Sequence, residues 1–167
     1  IFKFVLFNVH YIIAQSENQM NNLRKWYKEK IINIKVIKSG HEIECLKKFN
    51  KEYILWVARS NRWKIPELFL KISKKFPHYQ FIMICQKDLK LLEYWEKLNN
   101  EAKKIENLKF IEFVPFNKID EYFGKAKIFI NTSKREGFPN TFIQAFKHKT
   151  PVISLSVDPD NILEGKL

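Results

Sequence analysis

Apolar positions along the chain follow two spacings. Some runs, such as Tyr53 to Ala58, are continuously apolar, as expected of a strand covered on both faces. Between them, apolar residues recur every three or four positions, the period of a helix that buries one face. Ile65, Leu68, Phe69, Ile72 and Phe76 form such a face, and Pro66 suits the first turn of that helix. Gln80 to Cys85 predicts a strand, and Leu91, Trp95, Leu98, Ala102 and Ile105 a long helix. Leu108 to Val114 predicts the next strand, and Ile119, Tyr122, Phe123 and Ala126 a short helix capped by Asn117. Ile128 to Asn131 reads as a strand, Phe142, Ile143 and Phe146 as a helix face, and Val152 to Leu155 as the last strand. Upstream, His10 to Ala14 and Ile32 to Ile37 predict strands on either side of a helix whose face is Met20, Leu23 and Tyr27. Ser16 and Gln19 have the spacing of a helix capping box. Ser39-Gly40 reads as a turn, and His41 to Asn50 as a surface loop or linker.

Strand and helix alternating with short connections predict an α/β fold: a Rossmann-like parallel sheet with helices on both faces. Ligands of such sheets bind beyond the carboxyl ends of the strands. The loops to watch therefore follow Ala58, Cys85, Val114 and Asn131.

Composition changes this picture little. The 167 residues suit one domain, and 46% hydrophobic content can bury an ordinary core. The chain has no initiator Met and begins and ends in mid-pattern, so it reads as a single domain, residues 1–167, cut from a longer protein. The apolar start, Ile1 to Phe7, is short and interrupted by Lys3, unlike a signal peptide or a membrane span. The two cysteines, Cys45 and Cys85, lack metal-ligand spacing, and a reducing cytoplasmic compartment is the expectation. Net charge is +12, mostly from dispersed lysines. Phosphorylated ligands would welcome that sign, but no stacking motif or basic helix goes with it, so nucleic acid is disfavoured. His10, His41, His78 and His148 show no partner pattern, and Trp26, Trp56, Trp63 and Trp95 read as core or edge packing, with Trp63 also able to line a ligand loop. Asp158 and Asp160 have the spacing of a metal-binding pair, but they follow a strand and read as a turn, so no metal is assigned.

Two segments carry chemistry. In Asn131-Thr-Ser-Lys-Arg-Glu-Gly-Phe-Pro-Asn-Thr-Phe-Ile-Gln-Ala145 a strand ends, a polar loop holds Glu136 and Gly137, and a helix starts near Pro139 to Thr141. A helix N-terminus offers unpaired N–H groups and partial positive charge to a phosphate. Gly137 permits close approach of a ligand to the backbone. Glu136 can accept hydrogen bonds from hydroxyls, and Gln144 follows about one turn into the helix. In the second segment Arg59 leaves a strand end and Lys64 precedes a helix, two cations suited to a diphosphate.

Glu-Gly-Phe-Pro-Asn at 136–140, with Gln-Ala at 144–145 and Pro-Val-Ile at 151–153, resembles the retaining glycosyltransferases of family 4, the glycosyl transferases group 1. Ile54 to Lys64 resembles that family's strand followed by Gly-Arg and a Lys, with Ala58 in place of the Gly. The likeness runs from about His10 to Asp160 and implies one half of a two-domain GT-B fold. Residues 1–40 would then include part of the interdomain connection, with 41–50 a loop. It implies a catalytic and donor-binding set. Arg59 and Lys64 would grip the diphosphate and stabilise the leaving nucleotide as charge builds on it. Glu136 would hold hydroxyls of the transferred sugar, and Gly137 and Phe138 would offer it backbone N–H groups. Asn140 and Thr141 would lie near the phosphates, Gln144 would meet the ribose, and Val114 to Phe116 would flank the base. Ser133 would shape the loop before Glu136. The family usually has a second Glu where Gln144 stands, and an amide lacks that carboxylate's charge.

The resemblance implies transfer of a hexose from a nucleotide diphosphate sugar to a hydroxyl of a glycan or lipid, in polysaccharide biosynthesis. No cofactor is required beyond that donor. The partners implied are an N-terminal acceptor domain and peripheral contact with the inner face of the membrane. The 167 residues alone are expected to bind a donor weakly and to transfer nothing. Two other readings stay open: a nucleotide-sugar epimerase on the same architecture, and a non-catalytic module that binds anions.

Overall fold

The computed structural model describes residues 4, 8–27, 33–38, 40 and 48–164. Ile32, Ser39, Cys45 and the 41–47 part of the expected loop lie outside the described residues. The chain falls into two compact units, one of 1–40, 136–140 and 158–167, the other of 41–135 and 141–157.

In the smaller unit, β1 (Ile12–Ala14) and β2 (Ile34–Val36) pair in parallel, Ile12 opposite Ile34, as a sheet of their own. The helix between them, α1 (Glu17–Tyr27), lays Met20, Leu23 and Tyr27 against Ala14 and Ile34, the face its spacing predicts. Trp26 falls off that face and is 68% exposed, so the expectation that it packs is corrected. The first N–H groups of a helix have no partner within it. Here the Ser16 hydroxyl accepts the Gln19 N–H at 3.2 Å, as in a capping box. The Gln19 side chain reaches one residue further back than such a box requires and accepts from the Gln15 N–H at 2.8 Å. Asp160 supplies the rest: its carboxylate accepts from the N–H groups of Glu17 and Asn18, each at 3.2 Å, and lies 3.4 Å from the Lys38 ammonium. The Asp158–Asp160 pair is thus part of a turn, as read from the sequence, but one that caps a helix over 140 residues away.

In the larger unit, five strands form one parallel sheet. They are β3 (Tyr53–Arg59), β4 (Phe81–Gln86), β5 (Leu108–Ile111), β6 (Ala126–Asn131) and β7 (Val152–Ser154), in the order β5-β4-β3-β6-β7. Its helices are α2 (Pro66–Lys75), α3 (Leu92–Ala102), α4 (Phe116–Lys125) and α5 (Asn140–Lys147). Strand alternation divides them between the two faces. Trp56, Met83 and Ile130 point to the side where Phe69 of α2 and Trp95 and Leu98 of α3 pack. Phe129, between Ile128 and Ile130, points the other way; its ring lies 5.3 Å from Phe123 of α4 and 6.3 Å from Phe142 of α5. The expected α/β class with helices on both faces is therefore present.

Several boundaries differ from the sequence reading, among them Ala126, read as part of a helix face but the first residue of β6. β5 ends at Ile111 rather than Val114, because it is an edge strand and its pairing with β4 ends at Ile84 opposite Ile111. α4 begins at Phe116, with Pro115 at the cap position, so Asn117 is a helical residue and not a cap. α5 ends in a left-handed turn in which the Thr150 N–H returns to the Ala145 carbonyl at 2.9 Å and the Lys149 N–H to Phe146 at 3.0 Å. Lys149 has φ 52°, a conformation that favours glycine.

Lys149→Gly is therefore expected to stabilise the protein by about 1 kcal/mol, read as a shift of the denaturant midpoint. Burial pushes the Asp160 carboxyl up, but the Glu17 and Asn18 N–H groups and Lys38 together hold it below its ordinary value. A depressed folded-state value gives stability that is present above the unfolded carboxyl range and lost as pH falls through the folded one. Asp160→Asn should accordingly cost stability at neutral pH, and the gap from wild type should narrow below about pH 4 in thermal melts.

Candidate functional site

The chain order of the sheet contains a reversal. From β3 the chain moves outward to β4 and β5, then returns to place β6 against the other side of β3. The helix that follows β3 lies on one face and the helix that follows β6 on the other. Adjacent strands whose connections part in this way leave a crevice at their carboxyl ends, where open α/β sheets bind ligands.

Arg59 is the last residue of β3, paired with Gln86 and exposed. The chain is then anchored by the next residue. Ser60 is fully buried; its N–H donates to the Gln86 carbonyl at 2.8 Å, and its hydroxyl accepts the Asp88 N–H at 3.0 Å. Arg62 to Lys64 form one turn of 3-10 helix. Within it the Arg62 guanidinium lies 5.0 Å from the centre of the Tyr94 ring, and the Tyr94 hydroxyl donates to Glu67 at 2.7 Å. Burial, then the Glu67 bond, pushes the Tyr94 hydroxyl well above its usual range. Ile65 has φ 44°, a strained state for a β-branched residue, and it turns the chain so that α2 starts at Pro66. Arg59 and Lys64 thus stand on one short loop over the carboxyl end of β3.

The neighbouring loop leaves β6. Asn131 is 6% exposed; its side-chain Oδ1 accepts the Ser133 N–H at 3.1 Å, and its side-chain Nδ2 donates to the Ser154 hydroxyl at 3.3 Å. Thr132 joins the two loops. Its hydroxyl accepts from the Trp56 indole N–H at 2.9 Å and donates to the Lys64 carbonyl. Two residues on, the Lys134 N–H donates to the Trp63 carbonyl at 2.8 Å. Backbone positions of Trp63 and Lys64 are therefore held by the loop that follows β6. The Trp63 side chain is 46% exposed, so its packing expectation is corrected in favour of a ring left open on the loop.

The larger unit therefore brings Arg59, Lys64 and Ser133 together around the ends of β3 and β6. Ser133 is only 2% exposed, and its N–H is held by the Asn131 side chain. Val114 and Phe116 follow β5, two strands away from β3, with Phe116 76% exposed at the start of α4. Thr141 is the second residue of α5, and Gln144, one turn on, is 6% exposed. Glu136, Gly137, Phe138 and Asn140 belong to the smaller unit. There Gly137 lies against Gln19, and Gln15 Oε1 is 3.4 Å from where a Gly137 Cβ would be. Asn140 opens α5.

Sequence reasoning missed Ser60, Asp88 and Thr132. A signal existed for Thr132, since an indole inside a buried strand needs an acceptor for its N–H. His148 also has partners the sequence did not suggest. Its ring is buried, edge-on to Phe49 at 5.9 Å and 3.6 Å from the Asp120 carboxylate. Burial lowers its pKa against the opposing pull of Asp120. Among the described residues no group of His, Cys, Asp or Glu is placed to hold a metal, and no helix is long and apolar enough to cross a membrane.

Thr132→Val keeps the shape but removes both bonds of the hydroxyl. It is expected to destabilise the fold by about 1–3 kcal/mol, the cost of leaving a buried donor unmatched, read as a shift of the denaturant midpoint.

The sequence profile described as glycosyl transferases group 1 matches residues 41–159. No curated protein matches the chain. Among solved structures, TarM of S. aureus, as a mutant in complex with fondaparinux, α-GlcNAc-glycerol and UDP, superposes with a TM-score of 0.79 at 19% identity, covering 98% of this chain and 34% of that one. Sucrose-phosphate synthase of Thermosynechococcus elongatus gives 0.75 at 22% identity, over 91% and 42%. HepE of Anabaena, in complex with UDP-glucose, gives 0.75 at 15% identity, over 91% and 46%. The chain thus spans between a third and a half of the structures it matches, and at these identities the likeness shows the fold, that of GT-B glycosyltransferases.

Proposed function

The chain belongs to the glycosyl transferases group 1 family, and from that premise we propose that it is the nucleotide-sugar-binding part of a retaining glycosyltransferase. The whole protein would move a hexose from a nucleotide diphosphate to a hydroxyl of a glycan or lipid. The observation that carries the reading is the placing of Arg59 and Lys64 on one loop at the sheet's reversal point, with the Lys64 carbonyl held by Thr132. Two cations held there supply positive potential where charge develops on the leaving diphosphate, and they need no reorganisation as the bond breaks. The presence of UDP in complexes of TarM and HepE supports the same class of donor.

The other assignments follow the family motif. Glu136 accepts from sugar hydroxyls, and Gly137 and Phe138 donate backbone N–H groups to the sugar. Asn140 and Thr141 place the start of α5, with its partial positive charge, toward phosphate. Val114 and Phe116 flank the base. Gln144 accepts from one ribose hydroxyl; because it is nearly buried, it acts from beneath the ligand rather than by reaching out to it. Transfer needs an N-terminal acceptor domain as partner. The setting proposed with this reading is the cytoplasm, with peripheral contact at the inner membrane face, and the 167 residues alone bind without transferring.

Calorimetry with a panel of nucleotide sugars and the matching nucleoside diphosphates tests the proposal. Arg59→Ala should weaken diphosphate and sugar nucleotide alike, about 10- to 100-fold, the worth of a hydrogen bond to a charged group. Glu136→Ala should weaken only the sugar nucleotide. Equal binding of any polyanion, unchanged by either substitution, would instead identify an anion-binding module.

A further inference from the structure

Gly137 has a neighbour that the family motif does not explain. A Cβ built on it would collide with the amide nitrogen of Gln19, with the Gln15 side-chain oxygen at 3.4 Å behind it. Gly137 is not in a left-handed conformation, so backbone geometry alone would admit alanine. What a methyl there would meet is the end of the Gln19 side chain, which must then move. That amide is tethered by the Gln15 N–H, which donates to its Oε1, while the Gln19 backbone N–H is held by the Ser16 hydroxyl. The Asp160 carboxylate holds the two preceding N–H groups. The first turn of α1 is therefore capped by Ser16 and Asp160, and the Gln19 amide lies against Gly137, the residue that follows Glu136.

We propose that Gln19 is a positioning residue for the Glu136–Gly137 segment, fixing the path of its backbone and, through it, the sugar-binding groups. This rests on the donor-binding reading of Glu136. The amide fills the space of the missing side chain, so Gly137 and Gln19 form one packed pair. Shortening Gln19 leaves room for the segment to shift and so loosens the hold on the sugar. The diphosphate, gripped by Arg59 and Lys64, is unaffected.

A double-mutant cycle in the full-length protein tests this, using Gln19→Ala, Gly137→Ala and the pair together. Thermal melts come first and need no ligand. Gly137→Ala should lower Tm clearly in the wild-type background and much less when Gln19 is already alanine, because the added methyl then occupies the vacated space. Strict additivity of the two shifts would overturn the proposal. Binding supplies the readout that a merely structural contact would not give. Gln19→Ala should weaken the sugar nucleotide roughly three- to tenfold, the range of one neutral hydrogen bond, and leave the nucleoside diphosphate unchanged. Equal loss for both ligands would also overturn it. If the wild-type protein binds no sugar nucleotide at all, the donor reading fails, while the melts still decide whether Gln19 and Gly137 are coupled.

Discussion

The hydroxyl of Thr132 is where the parts of the larger unit meet. Trp56 lies in the middle strand, 2% exposed, and its indole N–H would cost free energy without an acceptor. Thr132, just after β6, provides that acceptor and donates its own O–H to the carbonyl of Lys64. A core requirement and a loop position are thereby settled by one group. Because the bond lies in a dry interior it is both strong and costly to break, so the loop bearing the two cations is held where the sheet reverses.

That reversal is a consequence of packing. The chain moves away from β3 on the face where Phe69 and Trp95 lie, and it comes back through β6 under Phe123 and Phe142. Each face is closed by large rings from two helices. The carboxyl ends of β3 and β6, where the connections part, are the place at which open α/β sheets bind ligands. Loops there are fastened by buried polar residues, Ser60 to β4 and Asn131 to β7, rather than by further apolar contact. Polar anchoring leaves Arg59 and the Trp63 ring exposed while the backbone beneath them is fixed.

The smaller unit uses the same economy at the start of α1, where backbone N–H groups gather acceptors from Ser16 and from Asp160. Asp160 and Asn161 both adopt left-handed conformations, which short polar side chains tolerate. Their turn brings the carboxylate to the helix end. An isolated Asp-x-Asp in the sequence suggests a cation; in the folded chain the positive partners are a helix terminus and Lys38.

Apolar spacing determined the α/β class, the order of strands and helices, and the start of α2 at Pro66, because periodicity and proline chemistry are local properties of the chain. The motif around Glu136 and the cations at 59 and 64 were likewise legible, since their residue types stand next to one another in sequence. Tertiary structure decided what no local window contains. It paired β6 with β3 rather than with β5, brought Asp160 to Glu17 and Asn18, joined Thr132 to Lys64, and filled the space over Gly137 with Gln19. Each of these joins residues far apart along the chain. Hydrogen bonds and excluded volume at such separations depend on where whole elements pack, which the sequence specifies only through the complete set of contacts.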